Sequence, residues 1–534
     1  MLLRFRVANH RSIRDEAELT LVAADSADRP DGAARDSGIT QGDGGRVPVL
    51  PVAGIFGANA SGKSNLVSAF HTMREAVRTS FADWAKYPGV PNRQPFKLDA
   101  ACAEETTLFE VDLVLGARTP VRYTYGFELS DDRVEAEWLH AYPGGVREVW
   151  FDREADRPPE DGDEYLFESP AFTGRRDDLV ALTRPNALFL STAATLNDPQ
   201  LSALHRWFLN NLWLMTPGED ISHRADWTKR RLTELRDDTG YRERLVQLLA
   251  AADLGVTGFD LDPDTGAVSL RHRTEGAEAV PLDFLTEESF GTHAWFAFLG
   301  PMLTVLDHGT TLLVDELDSS LHPTLAAEVV RLFQDREANA KGAQLIFTTH
   351  DATLLGNAVL DRPLGRDQVW LTAKTKSGAT ELYPLVAAHP EAGEDLERGY
   401  QWPGFATVRI SPVLSAITAR VFTPRSMPTA ASGRATRTMS RLASVWNEAN
   451  QRPRSCRTVA DRIRAVPAWT RARSFTVGSW VRIVPRRGRV TCRPSASTRI
   501  TPVVNRQARR AFRFGLNRGT PIRAPFRLPF FDFA

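Results

Sequence analysis

Eight consecutive residues, Gly57-Ala58-Asn59-Ala60-Ser61-Gly62-Lys63-Ser64, follow the spacing G-x-x-x-x-G-K-[ST]. Each fixed position in that spacing has a chemical reason. The glycines let backbone N–H groups turn inward around phosphate oxygens, and the start of a following helix adds positive partial charge. Lys63 is placed to reach the β- and γ-phosphates, and the Ser64 hydroxyl to ligate Mg2+. The candidate phosphate-binding set is therefore Gly57, Asn59, Ser61, Gly62, Lys63, Ser64 and the adjoining Asn65. A merely glycine-rich turn is the alternative. The flanking pattern disfavours it, because an apolar strand at Val52–Phe56 leads in and a helix with a stripe at Leu66, Phe70, Met73 and Val77 leads out.

Further downstream, Leu312-Leu313-Val314-Asp315-Glu316 reads as a buried strand ending in two carboxylates. A strand end of this kind delivers acidic groups to the sheet edge where phosphates bind. Asp315 is then a candidate Mg2+ ligand, and Glu316 a candidate to polarise water attacking a γ-phosphate. Thr348-Thr349-His350-Asp351 closes the next apolar run, which makes His350 a candidate γ-phosphate sensor. Glu288-Ser289-Phe290-Gly291-Thr292 opens a helix-like segment. Read alone it is a helix cap by Ser289 or Thr292, and it is also compatible with anion binding by backbone N–H groups.

The elements that position these groups follow from periodicity. Residues 1–24 alternate apolar and polar, giving two short strands around Asn9-His10-Arg11-Ser12, and residues 24–46 read as a loop. Thr107–Leu115, Val121–Leu129 and Val134–Tyr142 form an antiparallel meander, followed by a solvated acidic loop at Asp152–Asp163. Residues 180–260 are mainly helical, with Ala187–Ser191 open to a strand reading. From about 283 the pattern alternates: a helix over Ser289–Leu306 interrupted near Pro301, strand Thr311–Val314, helix Pro323–Arg336, then strands Gln344–Thr348 and Gln368–Thr372. That alternation predicts parallel βαβ units in an α/β fold. No internal repeat and no sustained heptad run is present.

Composition sets the class. The chain has 534 residues, 42% hydrophobic and 25% charged, which is ordinary globular composition. Cys102, Cys456 and Cys492 are too few for a disulfide scaffold or a four-ligand zinc site. The longest apolar stretch, Ala294–Leu306, is broken by Gly300-Pro301 and falls short of the roughly 20 residues of a membrane helix. The first residues lack the apolar core of a secretory signal, so a cytoplasmic location is expected. The net charge of zero conceals two unlike segments. Residues 401–534 hold 26 basic residues, all arginine, against three acidic ones, while the other 400 residues hold 40 basic and 63 acidic.

The order of motifs resembles the ABC-type ATPase heads of the RecF, SMC and OLD group. The match runs from the phosphate loop through the Ser/Gly segment and Asp315-Glu316-Leu317-Asp318-Ser319-Ser320-Leu321-His322-Pro323 to the histidine. It looks more closely like a family of bacterial ATP-binding proteins linked to restriction and phage-defence loci. Asn9-His10-Arg11-Ser12, Pro95-Phe96-Lys97-Leu98-Asp99, Glu137-Trp138-Leu139, the run from Thr183 to Ser191, Arg366-Asp367-Gln368-Val369-Trp370 and Glu397-Arg398-Gly399-Tyr400 carry that likeness over about residues 1–400.

The resemblance implies ATP and Mg2+ as ligands and an ATP-dependent homodimer, with Ser289 and Gly291 meeting the γ-phosphate held by the partner's Lys63. It implies Asp318 at the dimer interface and Arg11 approaching the nucleotide. It also implies a Mg2+-sensing glutamine, for which Gln94 is a candidate. The Glu-Ser-Phe-Gly-Thr segment departs from the family's Leu-Ser-Gly-Gly-Gln. The expected division is 1–94 and 281–400 as two parts of one ATPase head, 95–280 as an inserted β and helical region, and 401–534 as an arginine-rich tail. Arginine without lysine amid Pro, Ser, Thr and Ala is what GC-rich coding DNA gives out of frame. The expectation for the tail is therefore a frameshift-derived segment, the alternative being a disordered arm that binds nucleic acid.

The expected function is an ATP-hydrolysing switch that controls a separately encoded effector, a nuclease being one option. The tail offers only Glu448, Asp461 and Asp532, too few for a built-in metal nuclease. A RecF-like DNA-binding ATPase is the alternative, and the acidic balance of residues 1–400 counts against it. A transporter ATPase subunit fits less well, given the long 95–280 insertion. A kinase or GTPase fits least, since Asp315-Glu316 suits water activation and no Asn-Lys-x-Asp is present.

Overall fold

The alternation at the start of the chain folds as expected into antiparallel strands β1 (Leu2–Ala8) and β2 (Ala17–Thr20). The computed structural model describes residues 1–388 except 25–33, 41–43, 156–162, 220, 253–254, 263–264, 277 and 357–362. The described residues lie within Met1–Ala430, the first of the chain's two compact units, and the arginine-rich segment 401–534 is outside them. Part of the segment expected as a loop is instead a hairpin, β3 (Arg35–Thr40) with β4 (Arg46–Val49). Val47 and Val49 of β4 supply the buried side chains, and β3 itself has too little apolar alternation to be recognised.

Strand β5 (Val52–Gly57) is buried throughout and runs through the glycine-rich turn into α1 (Lys63–Thr79), whose Leu66, Phe70, Met73 and Val77 all face the core. After the short α2 (Ala101–Glu104), strands β6 (Thr107–Leu115), β7 (Val121–Leu129) and β8 (Val134–Tyr142) form the expected meander. The meander continues into β9 (Glu148–Ala155) and β10 (Asp163–Leu166). Asp152–Ala155 and Asp163 are thus strand residues where a solvated loop was expected. Their charges are absorbed laterally, Asp152 by His140 at 2.7 Å and Asp163 by Arg153 at 2.7 Å.

Three short helices follow, α3 (Arg176–Leu182), α4 (Phe189–Thr195) and α5 (Leu201–Asn210). The strand reading of Ala187–Ser191 is therefore incorrect. The buried Glu137 carboxylate accepts the N–H groups of Phe189 at 2.5 Å and Leu190 at 3.0 Å, fixing a helix start that local apolar content could not announce. Arg153, also fully buried, faces Glu137 at 3.6 Å and donates to the Ala187 carbonyl at 2.7 Å. Burial pushes the Glu137 carboxyl above its ordinary range, while Arg153 and the two N–H groups oppose that shift. Glu137→Ala would leave the Phe189 and Leu190 N–H groups and the Tyr125 hydroxyl without their buried acceptor, while Arg153 keeps Asp163. We expect it to cost at least about 2 kcal/mol, read as a lower midpoint of chemical denaturation.

Beyond these lie β11 (Leu212–Met215), α6 (Ile221–Glu234) and α7 (Thr239–Ala252). A small antiparallel sheet of β12 (Val256–Leu261), β13 (Val268–His272) and β14 (Val280–Asp283) was not expected from periodicity. Helix α8 (Phe290–His308) passes through Pro301 without interruption. Gly300 there lies directly against Thr228 of α6, whose hydroxyl donates to the Phe296 carbonyl at 3.0 Å. The chain then gives β15 (Thr311–Val314), the single-turn α9 (Leu317–Ser320), α10 (Pro323–Gln334) and β16 (Gln344–Thr349). The hairpin β17 (Val369–Lys374) and β18 (Thr380–Pro384) follows.

Two sheets dominate. One is antiparallel, in the order β10-β9-β8-β7-β6-β1-β2. The other runs β11-β15-β16-β5-β17-β18, parallel except for its last pair. The parallel sheet is covered on both faces, as such sheets require. Ala53, Ile55, Leu313, Ile346 and Trp370 face one apolar core, shared with α1, α4, α5 and the antiparallel sheet. Val52, Phe56, Leu312, Phe347 and Leu371 face the other, filled by α7, α8 and α10. Gln344 joins the two sheets, its amide exchanging bonds with the Leu2 backbone at 2.6 and 2.8 Å.

Candidate functional site

Strand order builds the site. β16 lies between β5 and β15, so the carboxyl ends of three parallel strands converge. β5 carries the glycine-rich turn, β16 Thr348 to His350, and β15 Asp315-Glu316. Ser64 and Asp315 are 251 residues apart in the chain, yet the Ser64 hydroxyl donates to Asp315 Oδ1 at 3.1 Å. Asp315 is buried.

The turn between β5 and α1 is tightly held. Ala60 and Gly62 adopt left-handed backbone, with φ of 63° and 108°. Gly62 could not carry a side chain, because a Cβ there would run into the Thr380 hydroxyl, and one at Gly57 would meet that of Thr372. Those two threonines brace the loop from the β17–β18 hairpin. Thr372 Oγ1 shares a hydrogen bond with Ser61 Oγ at 2.6 Å, and Thr380 Oγ1 donates to the Ser61 carbonyl at 2.8 Å. Asn59 is exposed at the crest, and Asn65 donates to Ser12 Oγ at 2.5 Å.

Lys63 folds back over the turn, its ammonium donating to the carbonyls of Gly57 at 2.7 Å and Ala58 at 3.2 Å. Burial pulls its pKa below the ordinary lysine value, and the nearby carboxylates of Asp318, Glu316 and Asp315 oppose that shift. One cation thus faces three acids across the space where the strand ends meet. Glu316 itself has φ 56° and ψ 63°. For a non-glycine residue that left-handed conformation costs about 1–2 kcal/mol, so neighbouring bonds must hold it. Thr348 is the neighbour that does so. It is fully buried, and it accepts the Glu316 N–H at 2.7 Å and donates to Asp315 Oδ1 at 2.7 Å.

His350 is more than half exposed, with Nδ1 2.5 Å from Asp318 Oδ2. The histidine and the interface aspartate expected from the motifs are therefore paired within one chain. Ser289 and Gly291 are exposed at the start of α8, and Ser289 Oγ accepts the Thr292 N–H at 3.1 Å. The plain helix cap is thus what this segment does locally, and its hydrogen bonds join it to its own helix and not to the glycine-rich turn.

Asn9-His10-Arg11-Ser12 is a tie between elements. Asn9 and Arg11 both take left-handed backbone at φ 51°. The Asn9 amide holds the carbonyls of Cys102 and Glu105, at 2.7 and 3.0 Å, and receives the Phe96 N–H at 2.9 Å. Arg11 Nε donates to the Gln94 side chain at 2.7 Å. Gln94 is thereby joined to Arg11 and not to Ser64 or Asp315. With Ser12, Lys97, Leu98 and Lys374, these two residues line a cavity of about 310 Å3 beside the turn.

His10 is buried against α1, 3.3 Å from Ser68 Oγ, and burial and Arg11 push its pKa down to about 4. The imidazole is neutral in the folded protein, whereas an unfolded chain takes up a proton near pH 6.5. Stability is full above that value and is lost as pH falls toward 4. The wild type should lose about 2 kcal/mol through this group between pH 6.5 and 5. A His10→Gln variant should lack that component, as read by denaturant midpoints at the two pH values.

Residues 52–356 match the family described as "AAA domain, putative AbiEii toxin, Type IV TA system". The chain belongs to this family. The expected α/β fold with a parallel-sheet core is present, and the family match is to an AAA domain. No curated protein matches the chain. Among solved structures, the SMC head domain from Thermotoga maritima is similar at 13% identity, covering 72% of this chain and 98% of that one with a TM-score of 0.33. The Smc head domain with an extended coiled coil bound to the C-terminal domain of ScpA, from Pyrococcus furiosus, is similar at 13% identity. It covers 75% and 98% of the two chains with a TM-score of 0.31. Among the described residues, no helix is long and apolar enough to cross a membrane.

The motifs disclosed Lys63, Ser64, Asp315 and Glu316 but not Thr348, Thr372, Thr380 or Ser12. The only hint was a hydroxyl pair immediately before His350, and sequence does not say which strand such hydroxyls will face.

Proposed function

We propose that the protein binds ATP with Mg2+ and hydrolyses it, using the nucleotide as a switch. The observation that carries this reading is the meeting of Ser64 and Asp315 at 3.1 Å beside Lys63. A hydroxyl and a carboxylate from two strand ends form a hard-oxygen pair of the kind Mg2+ selects. Ser64 and Asp315 would hold that ion, which supplies charge neutralisation for the phosphoryl oxygens. Lys63 exchanges its two backbone carbonyls for β- and γ-phosphate oxygens. Glu316 polarises the attacking water, and His350, on release from Asp318, orients it. The cavity at Arg11 and Gln94 is lined by Ser12, which Asn65 at the start of α1 contacts at 2.5 Å, and it is the space this reading gives to the nucleoside.

The switch extends to a second copy. Ser289 and Gly291 are exposed and apart from the glycine-rich turn of their own chain, which suits contact with the nucleotide of a partner. ATP then closes the homodimer, and hydrolysis opens it. In this reading the nucleotide state controls a separately encoded effector, in defence against phage and in the cytoplasm; what the family's description adds is a link to a two-component toxin–antitoxin system. In domain terms, 1–94 and 281–400 supply most of the head, 95–280 is the inserted region, which lends β11 to the head's parallel sheet, and 401–534 is the tail.

The test is phosphate release by purified protein. Turnover with ATP and Mg2+, its loss in EDTA, and a doubling of mass by light scattering with a non-hydrolysable ATP analogue are expected. A folded protein that takes up no ATP in calorimetry would end this reading.

A further inference from the structure

Thr348 stands at the carboxyl end of β16, the strand inserted between the one that carries the glycine-rich turn and the one that carries the acidic pair. Its hydroxyl has one proton to give and lone pairs to receive. The Glu316 N–H can only donate, and it reaches Thr348 Oγ1 at 2.7 Å. The hydroxyl proton is therefore directed to Asp315 Oδ1, also at 2.7 Å. That carboxylate oxygen is the one that receives Ser64 Oγ at 3.1 Å. One buried hydroxyl thus orients the side chain of the first acid and the backbone of the second.

Two further observations give this arrangement weight. Glu316 sits in left-handed backbone, at φ 56° and ψ 63°, where its N–H lies outside the regular strand pairing that ends with Val314. The bond to Thr348 satisfies that N–H and ties the conformation down. The hydroxyl is also carried by a β-branched residue in a fully buried strand, so its χ1 is stiff and its direction is set by packing. Two residues further on, His350 meets Asp318. The end of β16 therefore holds the acidic loop at its base through Thr348 and lies against it one turn along.

We propose that Thr348 is a positioning residue for nucleotide hydrolysis, holding Asp315 toward Ser64 and the Glu316 backbone in its left-handed turn so that both carboxylates converge on the same phosphoryl group. The inference rests on the ATPase reading above. Thr348 is fully buried, and its hydroxyl is committed to the Glu316 N–H and Asp315 Oδ1. It acts through the two acids, and its removal affects Mg2+ dependence and turnover while leaving the grip of the turn on phosphates intact.

The experiment compares wild type with Thr348→Val, which keeps the shape and loses the hydroxyl, and Thr348→Ser, which restores it. Turnover, half-saturating Mg2+, and affinity for a fluorescent ATP analogue in EDTA and in Mg2+ are measured for each. Thr348→Val is expected to lower kcat or Mg2+ affinity by about 10–100-fold, the loss typical when a group behind a metal ligand is removed. Its affinity in EDTA should stay within about twofold of wild type, and Thr348→Ser should return to within about threefold in all measurements, since it keeps both bonds.

Wild-type turnover and Mg2+ dependence in Thr348→Val would overturn the proposal. So would a loss of affinity in EDTA that matches the loss in Mg2+, since that marks a general structural role, or a Thr348→Ser variant as impaired as Thr348→Val. If Thr348→Val does not fold, Thr348→Ala against Thr348→Ser gives the same comparison. A folded wild type that neither binds nor hydrolyses ATP removes the ATPase reading and this inference together. Normal wild-type turnover with an unaffected Thr348→Val removes this inference alone.

Discussion

Glu316→Gln is expected to leave ATP binding within a few-fold of wild type while lowering kcat by about 100-fold to 10,000-fold, the range for loss of a group that polarises water. The reason is local. Glu316 follows Asp315 at the end of β15, and its backbone is fixed by Thr348 at 2.7 Å. Glutamine keeps the size of the side chain and can adopt the same backbone, but it cannot draw a proton from water. The variant should also accumulate with ATP as a species of twice the monomer mass, because closure precedes hydrolysis in the proposed cycle. Single-turnover phosphate release and light scattering in the same buffer give both readings. A variant that hydrolyses ATP at the wild-type rate would remove Glu316 from the chemistry, and one that stays monomeric with ATP would count against the closing dimer.

Lys63→Ala should abolish measurable nucleotide uptake, weakening affinity at least about 100-fold, or roughly 3 kcal/mol. The lysine is buried, and its ammonium is satisfied by the carbonyls of Gly57 and Ala58. An ammonium already desolvated in this way exchanges its partners for charged phosphate oxygens with little further dehydration, and charge-assisted bonds are the stronger kind. The three carboxylates of Asp318, Glu316 and Asp315 face the same space. Without Lys63 they would repel a polyphosphate, so the loss should exceed that of one hydrogen bond. Isothermal titration of ATP into the variant is the measurement, with its thermal midpoint as the check that the fold persists. Retained micromolar affinity would show that the nucleotide is held elsewhere.

Much of the fold was legible because its signals are short-range. A period of two marked two strands within residues 1–24, now β1 and β2, strand-like runs bounded by turn residues gave β6 to β8, and the apolar stripe of α1 needed only its own turn-to-turn spacing. The misreadings share a cause. Ala187–Ser191 joins a helix start because Glu137, some 50 residues earlier, accepts the Phe189 and Leu190 N–H groups. The acidic run after Phe151 continues a strand because Arg153 and His140 take up its charges from across the sheet. In α8, Pro301 does not break the helix, and α6 packs closely there, at Gly300, with the Thr228 hydroxyl on the Phe296 carbonyl.

The chemistry divides in the same way. Residue order alone determined that a phosphate-binding turn exists and which lysine and serine it offers, because the requirements of such a turn are met within eight consecutive positions. It also determined that an acidic pair ends a buried strand. Only the tertiary structure decided that these two segments share one site, that Asp318 and His350 pair within a single chain, and that Thr348, Thr372 and Thr380 are the hydroxyls bracing it. Those relations depend on strand order in the parallel sheet. With β16 seated between β5 and β15, contacts span 251 and 319 residues, a distance over which no local preference carries information.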